Sequence, residues 1–410
     1  MNWSLLFPKI KNIFKSNIVV TDAMVTFILL VILGIIYLLV PKKLDDSTIV
    51  SPLQKTNKLS VVKSELNTPF NKEIIGFLPS WIVAQDTELF IKPLTQLIYF
   101  GFNVNENGEI VKYNESNTPV LEWHYFKSPY FTQLKEKTKK NKTKVLVAFK
   151  MFNNEIIDNL ISNSFSTNRF ILNVIALLKD YDLDGINLDI EYFTDSDFPT
   201  VRFLNTFLTK VVSELKKSNS NYIVSVDVNA TVILRDAAYD MVKIGELADQ
   251  VIVMAYDYRM PSSLRAGPVA PINSSINEHS ISESISSLVG RVPMEKVILG
   301  IPLYGYEWQT VNKNYKSTAV SGTGALATYK RVQELLEERQ DIEKHWDSQS
   351  KSPWLIYKQS GAIKQIYYED MNSIKAKLDF VKDKNLGGVS LWALGYEGKY
   401  KDVWDLFSRD

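Results

Sequence analysis

The chain has 410 residues, 45% of them hydrophobic and 23% charged, with 17 Gly, 15 Pro and no Cys. At roughly 150 residues per domain that length allows two to three domains, and the composition excludes a disordered tail, a collagen or a low-complexity linker. Without cysteine there are no disulfides, thiol nucleophiles, zinc fingers or iron–sulfur clusters, and a net charge of +1 excludes a nucleic-acid binder that works through broad electrostatic attraction.

The charge is unevenly spread. Residues 1–60 hold seven Lys and three Asp, a net +4, which leaves −3 on the remaining 350. Within that basic end, Ala23 to Val40 reads AMVTFILLVILGIIYLLV, eighteen residues without a charge, enough to cross a bilayer. A core helix would show a polar stripe, and a signal peptide would be shorter and followed by a small-residue cleavage site. Pro41, Lys42 and Lys43 follow instead. The segment is expected to be an uncleaved transmembrane anchor over 23–40, preceded by a short cytoplasmic segment, 1–22. Lys9, Lys11 and Lys15 before the helix outnumber Lys42 and Lys43 after it, a slight bias toward a cytoplasmic N-terminus and an extracytoplasmic body. Residues 41–71, rich in Ser, Thr, Asn and Lys without periodicity, read as a stalk.

From residue 72 onward, short apolar runs recur between turn and helix signals. They are Ile74–Leu78, Leu97–Val104, Val145–Phe149, Gly185–Ile190, Tyr222–Val228, Val251–Met254, Val297–Ile301 and Gly387–Leu391. Helical patterns lie between several of them, the clearest being Phe170, Ile171, Val174, Ile175, Leu177 and Leu178. Eight near-continuous apolar strands alternating with helices predict a parallel sheet closed as a (β/α)8 TIM barrel over 72–410, of class α/β. The last two runs start 90 residues apart, against 23 to 48 for the others, so a small α+β insertion at about 305–375 is expected between strands 7 and 8. Trp354–Tyr357 and Ile363–Tyr368 flank Lys358–Ala362 as a hairpin would, after a helical stretch at Thr328–Arg339. The aromatics Trp346, Trp354, Tyr367 and Tyr368 suit the insertion's own core, with a groove wall as the alternative.

The fourth run carries the chemistry: Asp184-Gly-Ile-Asn-Leu-Asp-Ile-Glu191. On a strand, Asn187, Asp189 and Glu191 share one face and Ile186, Leu188 and Ile190 the other. The polar face is expected inside the barrel, ending at the C-terminal mouth where barrel enzymes place their chemistry. Two carboxylates two residues apart in a confined pocket are expected to share a proton near neutral pH, with Glu191 at the mouth as the proton donor. Glycoside hydrolysis needs such an acid. Its usual second carboxylate sits across the sugar ring, which two groups on one strand face cannot reach. Either another strand supplies a nucleophile or the substrate supplies its own. The three histidines, His124, His279 and His345, stand far apart without ligand spacing, so no metal site and no other cofactor is expected.

DGINLDIE resembles the DGxxxDxE signature of family 18 glycoside hydrolases, the chitinase-like enzymes. MAYDY at Met254–Tyr258 resembles that family's Met-x-Tyr-Asp on strand 6, and GGVSLWALG at Gly387–Gly395 its eighth strand with a Trp. GFLPSW at Gly76–Trp81, GPVAPI at Gly267–Ile272 and GIPLYGYEW at Gly300–Trp308 look closest to the branch of bacterial spore-cortex and cell-wall N-acetylglucosaminidases, and DGIN is similar to lysosomal chitobiase. The resemblance implies substrate-assisted hydrolysis: Glu191 protonates the glycosidic oxygen, Asp189 orients the 2-acetamido group, Tyr256 and Asp257 hold that group, and Trp392 floors the sugar site, with Asn187 and Tyr304 as further substrate-binding positions. It further implies a monomer acting on a polysaccharide that contains N-acetylglucosamine. A catalytically silent, lectin-like envelope protein on the same barrel, or a membrane-tethered scaffold, is the competing reading, and the presence of Glu191 favours the enzyme. Two positions depart from the family: Asn187 stands where an Asp is usual, and Ala148-Phe-Lys-Met151 replaces Ser-x-Gly-Gly on strand 3. Their joint loss predicts a shortened proton relay in which Asp189 and Glu191 form the functional pair. Lys150 adds a cation of unassigned role.

Overall fold

A computed structural model describes residues 70–85, 88–192, 199–234, 239–275 and 277–407. The cytoplasmic segment, the 23–40 anchor and nearly all of the stalk lie outside the described residues. Among the described residues no helix is long and apolar enough to cross a membrane.

Seven strands come first in chain order: β1 (Glu73–Pro79), β2 (Gln96–Asn103), β3 (Lys144–Met151), β4 (Gly185–Ile190), β5 (Ile223–Asn229), β6 (Gln250–Met254) and β7 (Val297–Pro302). They are followed by β8 (Tyr304–Thr310), β9 (Ala325–Thr328), β10 (Glu343–Asp347), β11 (Ser352–Gln359), β12 (Ala362–Tyr367) and β13 (Gly388–Trp392). Strands β1 to β7 and β13 pair in parallel and close a barrel, with β13 between β7 and β1. Each barrel strand begins and ends within two residues of the apolar run that predicts it.

Outward side chains of the barrel pack beneath helices. The helix Ser164–Asp180 starts where the Asn163 side chain accepts from the Phe165 and Ser166 N–H groups, and buries Phe170, Ile171, Val174, Leu177 and Leu178. Phe170 meets Phe149 of β3 with ring centroids 5.3 Å apart, edge to face. Inside, the barrel is divided. Ile75, Phe77, Ile98, Phe100, Leu146, Ala148, Ile252 and Ile298 form an apolar cluster, whereas β4 and β5 turn Asn187, Asp189, Ser225 and Asp227 inward, all buried. Polar groups without water are costly unless they satisfy one another, so this half of the interior must be internally bonded or chemically used.

Strands β8 to β12 form a separate antiparallel sheet in the order β10-β11-β12-β8-β9, with the helix Tyr329–Glu338 capped by the Thr328 side chain. The predicted hairpin is β11–β12, closed at Gln359↔Ala362 around Ser360 and Gly361. Their φ angles of 50° and 82° fit a two-residue turn that needs two left-handed residues, which Gly361 adopts without strain. Trp354 and Tyr367 stack at 5.5 Å in the sheet's core, and Tyr368 is buried. Trp346 lies on edge strand β10 and is exposed. Strand β8 follows β7 after one residue, Leu303. The sequence reading did not resolve it, because YGYEW alternates too weakly to stand out beside the longer apolar run it continues.

Candidate active site

The alternation of β4 places its polar residues as expected. Asn187 and Asp189 are buried inside the barrel, and Glu191 stands just past the strand's end, where its N–H donates to the Met151 carbonyl at 2.9 Å. Glu191 is partly exposed at the mouth. Burial pushes its carboxyl up from the ordinary value, and the Asp257 charge adds to that. A carboxyl so placed keeps its proton further into the neutral range, which a general acid requires.

Asp189 has titratable neighbours on both adjoining strands. Its Cα stands in register opposite Asp227 of β5 on one side and Lys150 of β3 on the other. Burial raises its pKa most, then Asp227, then Glu191, while Lys150 pulls it down. Carboxyls across the sheet and along the strand thus both hold the Asp189 pKa up. Asp227 is itself pushed up by burial, and the Asn187 amide partly offsets that. Asn187 Nδ2 donates to Asp227 Oδ1 at 2.7 Å and to Ser225 Oγ at 3.1 Å. Beside the expected pair of Asp189 and Glu191, a further carboxyl, Asp227, is buried on β5 and tied to Asn187. Sequence reasoning passed over it, although VSVDVN carries the same signal as GINLDI, polar residues at alternate positions of an apolar strand.

Lys150 also has a defined place. Its ammonium pairs with Glu122 Oε1 at 2.8 Å, both side chains being largely buried, and lies 5.7 Å from the Phe100 ring centre. On β3 it is the register partner of Asp189, whose pKa it lowers.

Asp257, at the end of β6, has φ 60°, a left-handed conformation that Asp tolerates better than most residues. Its Oδ1 accepts from the Tyr304 hydroxyl at 2.6 Å and the Tyr306 hydroxyl at 2.8 Å, both tyrosines being carried by β8. Burial pushes the Asp257 carboxyl up, and the two hydroxyls pull it back. Tyr304 is thereby a holder of Asp257, and Tyr306, which sequence reasoning did not single out, is the second. Tyr256 lies 6.1 Å from Tyr304, ring to ring. Burial, with the surrounding carboxylates, pushes its hydroxyl well above the ordinary value, so it stays protonated. Gly300 of β7 makes room for that ring: a Cβ there would stand 3.0 Å from Tyr256 Cε1 and 2.7 Å from the Val253 carbonyl oxygen.

Trp392 ends β13 and closes the floor. Phe100 meets it edge-on at 4.7 Å, Phe77 at 5.7 Å and the partly exposed Trp81 at 6.4 Å. Its carbonyl accepts from the Leu303 N–H at 2.7 Å, which joins the floor to the β7–β8 junction. Carboxyls, a tyrosine hydroxyl and an aromatic floor converge at the C-terminal ends of the strands. No group of three or more His, Asp or Glu among the described residues is arranged to hold a metal ion.

Comparison with known proteins agrees with this fold. A putative sporulation-specific glycosylase, YdhD, of Bacillus subtilis is 26% identical over 249 residues, covering 59% of this chain and 54% of that protein. The chain therefore spans about half the length of that curated relative. Among solved structures, a group IV chitinase of Ostrinia furnacalis in complex with allosamidin superposes with a TM-score of 0.70 at 20% identity, over 82% of this chain and 97% of that one. The spore cortex-lytic enzyme SleL of Bacillus megaterium gives 0.62 at 22% identity, over 82% of this chain and 73% of that one. At such identities the likeness shows a shared fold. The model for glycosyl hydrolases family 18 matches residues 73–397, nearly the whole barrel with its insertion, and the chain belongs to that family.

Proposed function

We propose that this protein is a retaining glycosidase that cleaves β-linked N-acetylglucosamine in peptidoglycan or chitin-type polysaccharides, assisted by the substrate's own 2-acetamido group. The observation that carries the reading is Glu191: a mouth-facing carboxyl pushed up by burial and by Asp257. Among the described residues Asp189 shares its strand face, Asp227 accepts from Asn187 and Asp257 accepts from two tyrosines; this fits the family resemblance, which gives the nucleophile's part to the substrate. In this scheme Glu191 protonates the leaving oxygen as the acetamido carbonyl closes on the anomeric carbon. Asp189 holds the acetamido N–H, Tyr256 donates to its oxygen, and Trp392 supports the ring. Glu191 then takes a proton from the water that opens the oxazolinium ion. No cofactor enters the scheme. Residues 23–40 would hold the monomeric enzyme in a membrane with the barrel outside the cytoplasm, facing a wall or matrix polysaccharide.

The test is Glu191→Gln in the full-length chain, assayed on N-acetylglucosamine oligosaccharides and purified peptidoglycan with products identified by mass spectrometry. Sugar release is expected to fall by about 1000-fold while oligosaccharide binding persists. A wild-type chain that binds these polymers and turns over none of them would establish the lectin-like role instead.

A further inference from the structure

The inner position of β4 holds an amide, Asn187, where the resemblance implies an acid. An amide cannot exchange a proton with Asp189. Three observations locate a replacement on the neighbouring strand. Asp227 is the register partner of Asp189, and neighbouring strands lie roughly 4.8 Å apart. The Asn187 amide is committed to β5, donating to both Asp227 and Ser225. Asn187 Oδ1 and Asp189 Oδ1 are both buried acceptors without a donor among the described residues. A buried acceptor left unpaired is costly. A proton carried on Asp189 supplies a donor in a row that otherwise has too few.

We propose that Asp227 stands in for the acid missing at Asn187: Asp189 and Asp227 hold one proton between them, and its transfer to Asp227 leaves Asp189 anionic when the substrate's acetamido N–H must be held. The proposal rests on the hydrolase reading for its catalytic use. The proton count balances through the cycle. Glu191 gives its proton to the leaving oxygen as the C1–O bond breaks and the acetamido oxygen bonds to C1. The positive charge then spread over the oxazolinium N–H faces Asp189, while the pair's single proton sits on Asp227. Water adds to C1, its proton returns to Glu191, the ring opens, and the pair redistributes its proton unchanged in number.

The charged and titratable groups around the pair are Lys150 from β3, Glu191 from β4 and Tyr256 after β6, with Tyr239 below them, whose hydroxyl donates to the Ile190 carbonyl at 2.6 Å. Lys150 favours one negative charge on the pair, and Glu191 opposes a second. Asp227 acts through Asp189 and is a positioning residue.

The test uses the full-length chain in detergent as wild type, D227N and the double variant N187D/D227N, which returns the acid to β4. The carboxyl carbons of 13C-labelled Asp are followed against pH. In wild type Asp189 and Asp227 are expected to titrate as one coupled pair in two separated steps. In D227N Asp189 is expected to titrate in a single step, displaced to lower pH because a neighbouring charge is gone. On N-acetylglucosamine oligosaccharides D227N is expected to lose about 100-fold in kcat with KM changed far less, and the double variant to regain about tenfold or more of that loss. An Asp189 titration unaltered in D227N, or a double variant no faster than D227N, overturns the proposal. If D227N does not fold, the wild-type titration decides: two separated steps support the pair, and two independent carboxyls refute it. Wild type without turnover removes the hydrolase reading and leaves the titration to decide the pairing.

Discussion

Replacing Tyr306 by Phe removes one hydroxyl and leaves the ring that packs against Tyr304 and Trp308, at 5.5 and 5.8 Å between centroids. Its hydroxyl is one of two that donate to the same oxygen of Asp257, and both tyrosines are largely buried, so water does not readily take its place. A hydrogen bond to a charged group contributes about 1.5–3 kcal/mol. Tyr304 remains on that oxygen, so the lower end applies, and kcat/KM should fall by roughly tenfold if Asp257 acts as a carboxylate. The same substitution has a signed effect on pH dependence. Losing a donor raises Asp257 further, so it keeps its proton to higher pH and repels Glu191 less. Glu191 is held up partly by that repulsion, so its pKa should drop and the alkaline limb of the rate profile, where the acid loses its proton, should move to lower pH. Steady-state kinetics across pH 4–9 on a chromogenic N-acetylglucosaminide, with Tyr304→Phe and the double variant beside it, completes a cycle. The double variant should lose more than the sum of the singles, because each hydroxyl partly covers for the other. A Tyr306→Phe enzyme within twofold of wild type and with an unmoved alkaline limb would refute the assignment of Asp257.

Two further predictions concern packing and ion pairing. Gly300→Ala introduces a methyl group against the Val253 carbonyl and the Tyr256 ring; a stability loss of about 1–3 kcal/mol and a fall in kcat are expected, read by thermal denaturation and steady-state kinetics, and an unchanged kcat would show that the Tyr256 position is not critical. Lys377 and Glu369 form an ion pair at 2.7 Å with side chains 0% and 1% exposed, and Lys377→Met should cost about 3–5 kcal/mol at neutral pH. Burial already raises the Glu369 pKa and Lys377 opposes that rise. Without the lysine the folded-state value climbs further above the unfolded one, so stability is retained at acid pH and lost as pH rises through the folded value. A Lys377→Met protein whose melting temperature falls equally at pH 5 and pH 8 would contradict this sign.

The barrel was readable because its strands are buried on both faces and therefore write themselves as continuous apolar runs; the bounds of β4 match the run Gly185–Ile190 residue for residue. The hairpin β11–β12 was readable from Gly361, which marks a turn by its backbone freedom. Asp189 and Glu191 stood out because a charge on an apolar strand is conspicuous. Less legible was anything settled across strands. Asp227 meets Asp189 through register, Glu122 meets Lys150 from a helix 28 residues away in sequence, and Tyr306 reaches Asp257 from a different sheet. Periodicity along one strand says which face a residue takes. It does not say which residue of the next strand stands opposite.

The join between β7 and β8 sets the mechanics of the cleft. One residue separates the barrel from the inserted sheet, and that residue, Leu303, donates to the Trp392 carbonyl and accepts from the Tyr329 N–H at 2.9 Å. Tyr304 and Tyr306, next in the chain, are fastened to Asp257. To swing outward, the wall would have to release both hydroxyls and drag the floor with it. Among the described residues, the inserted sheet is therefore fastened to the barrel at its root by side chain and backbone together. A sheet fastened in this way has less conformational freedom to lose when a ligand settles against it.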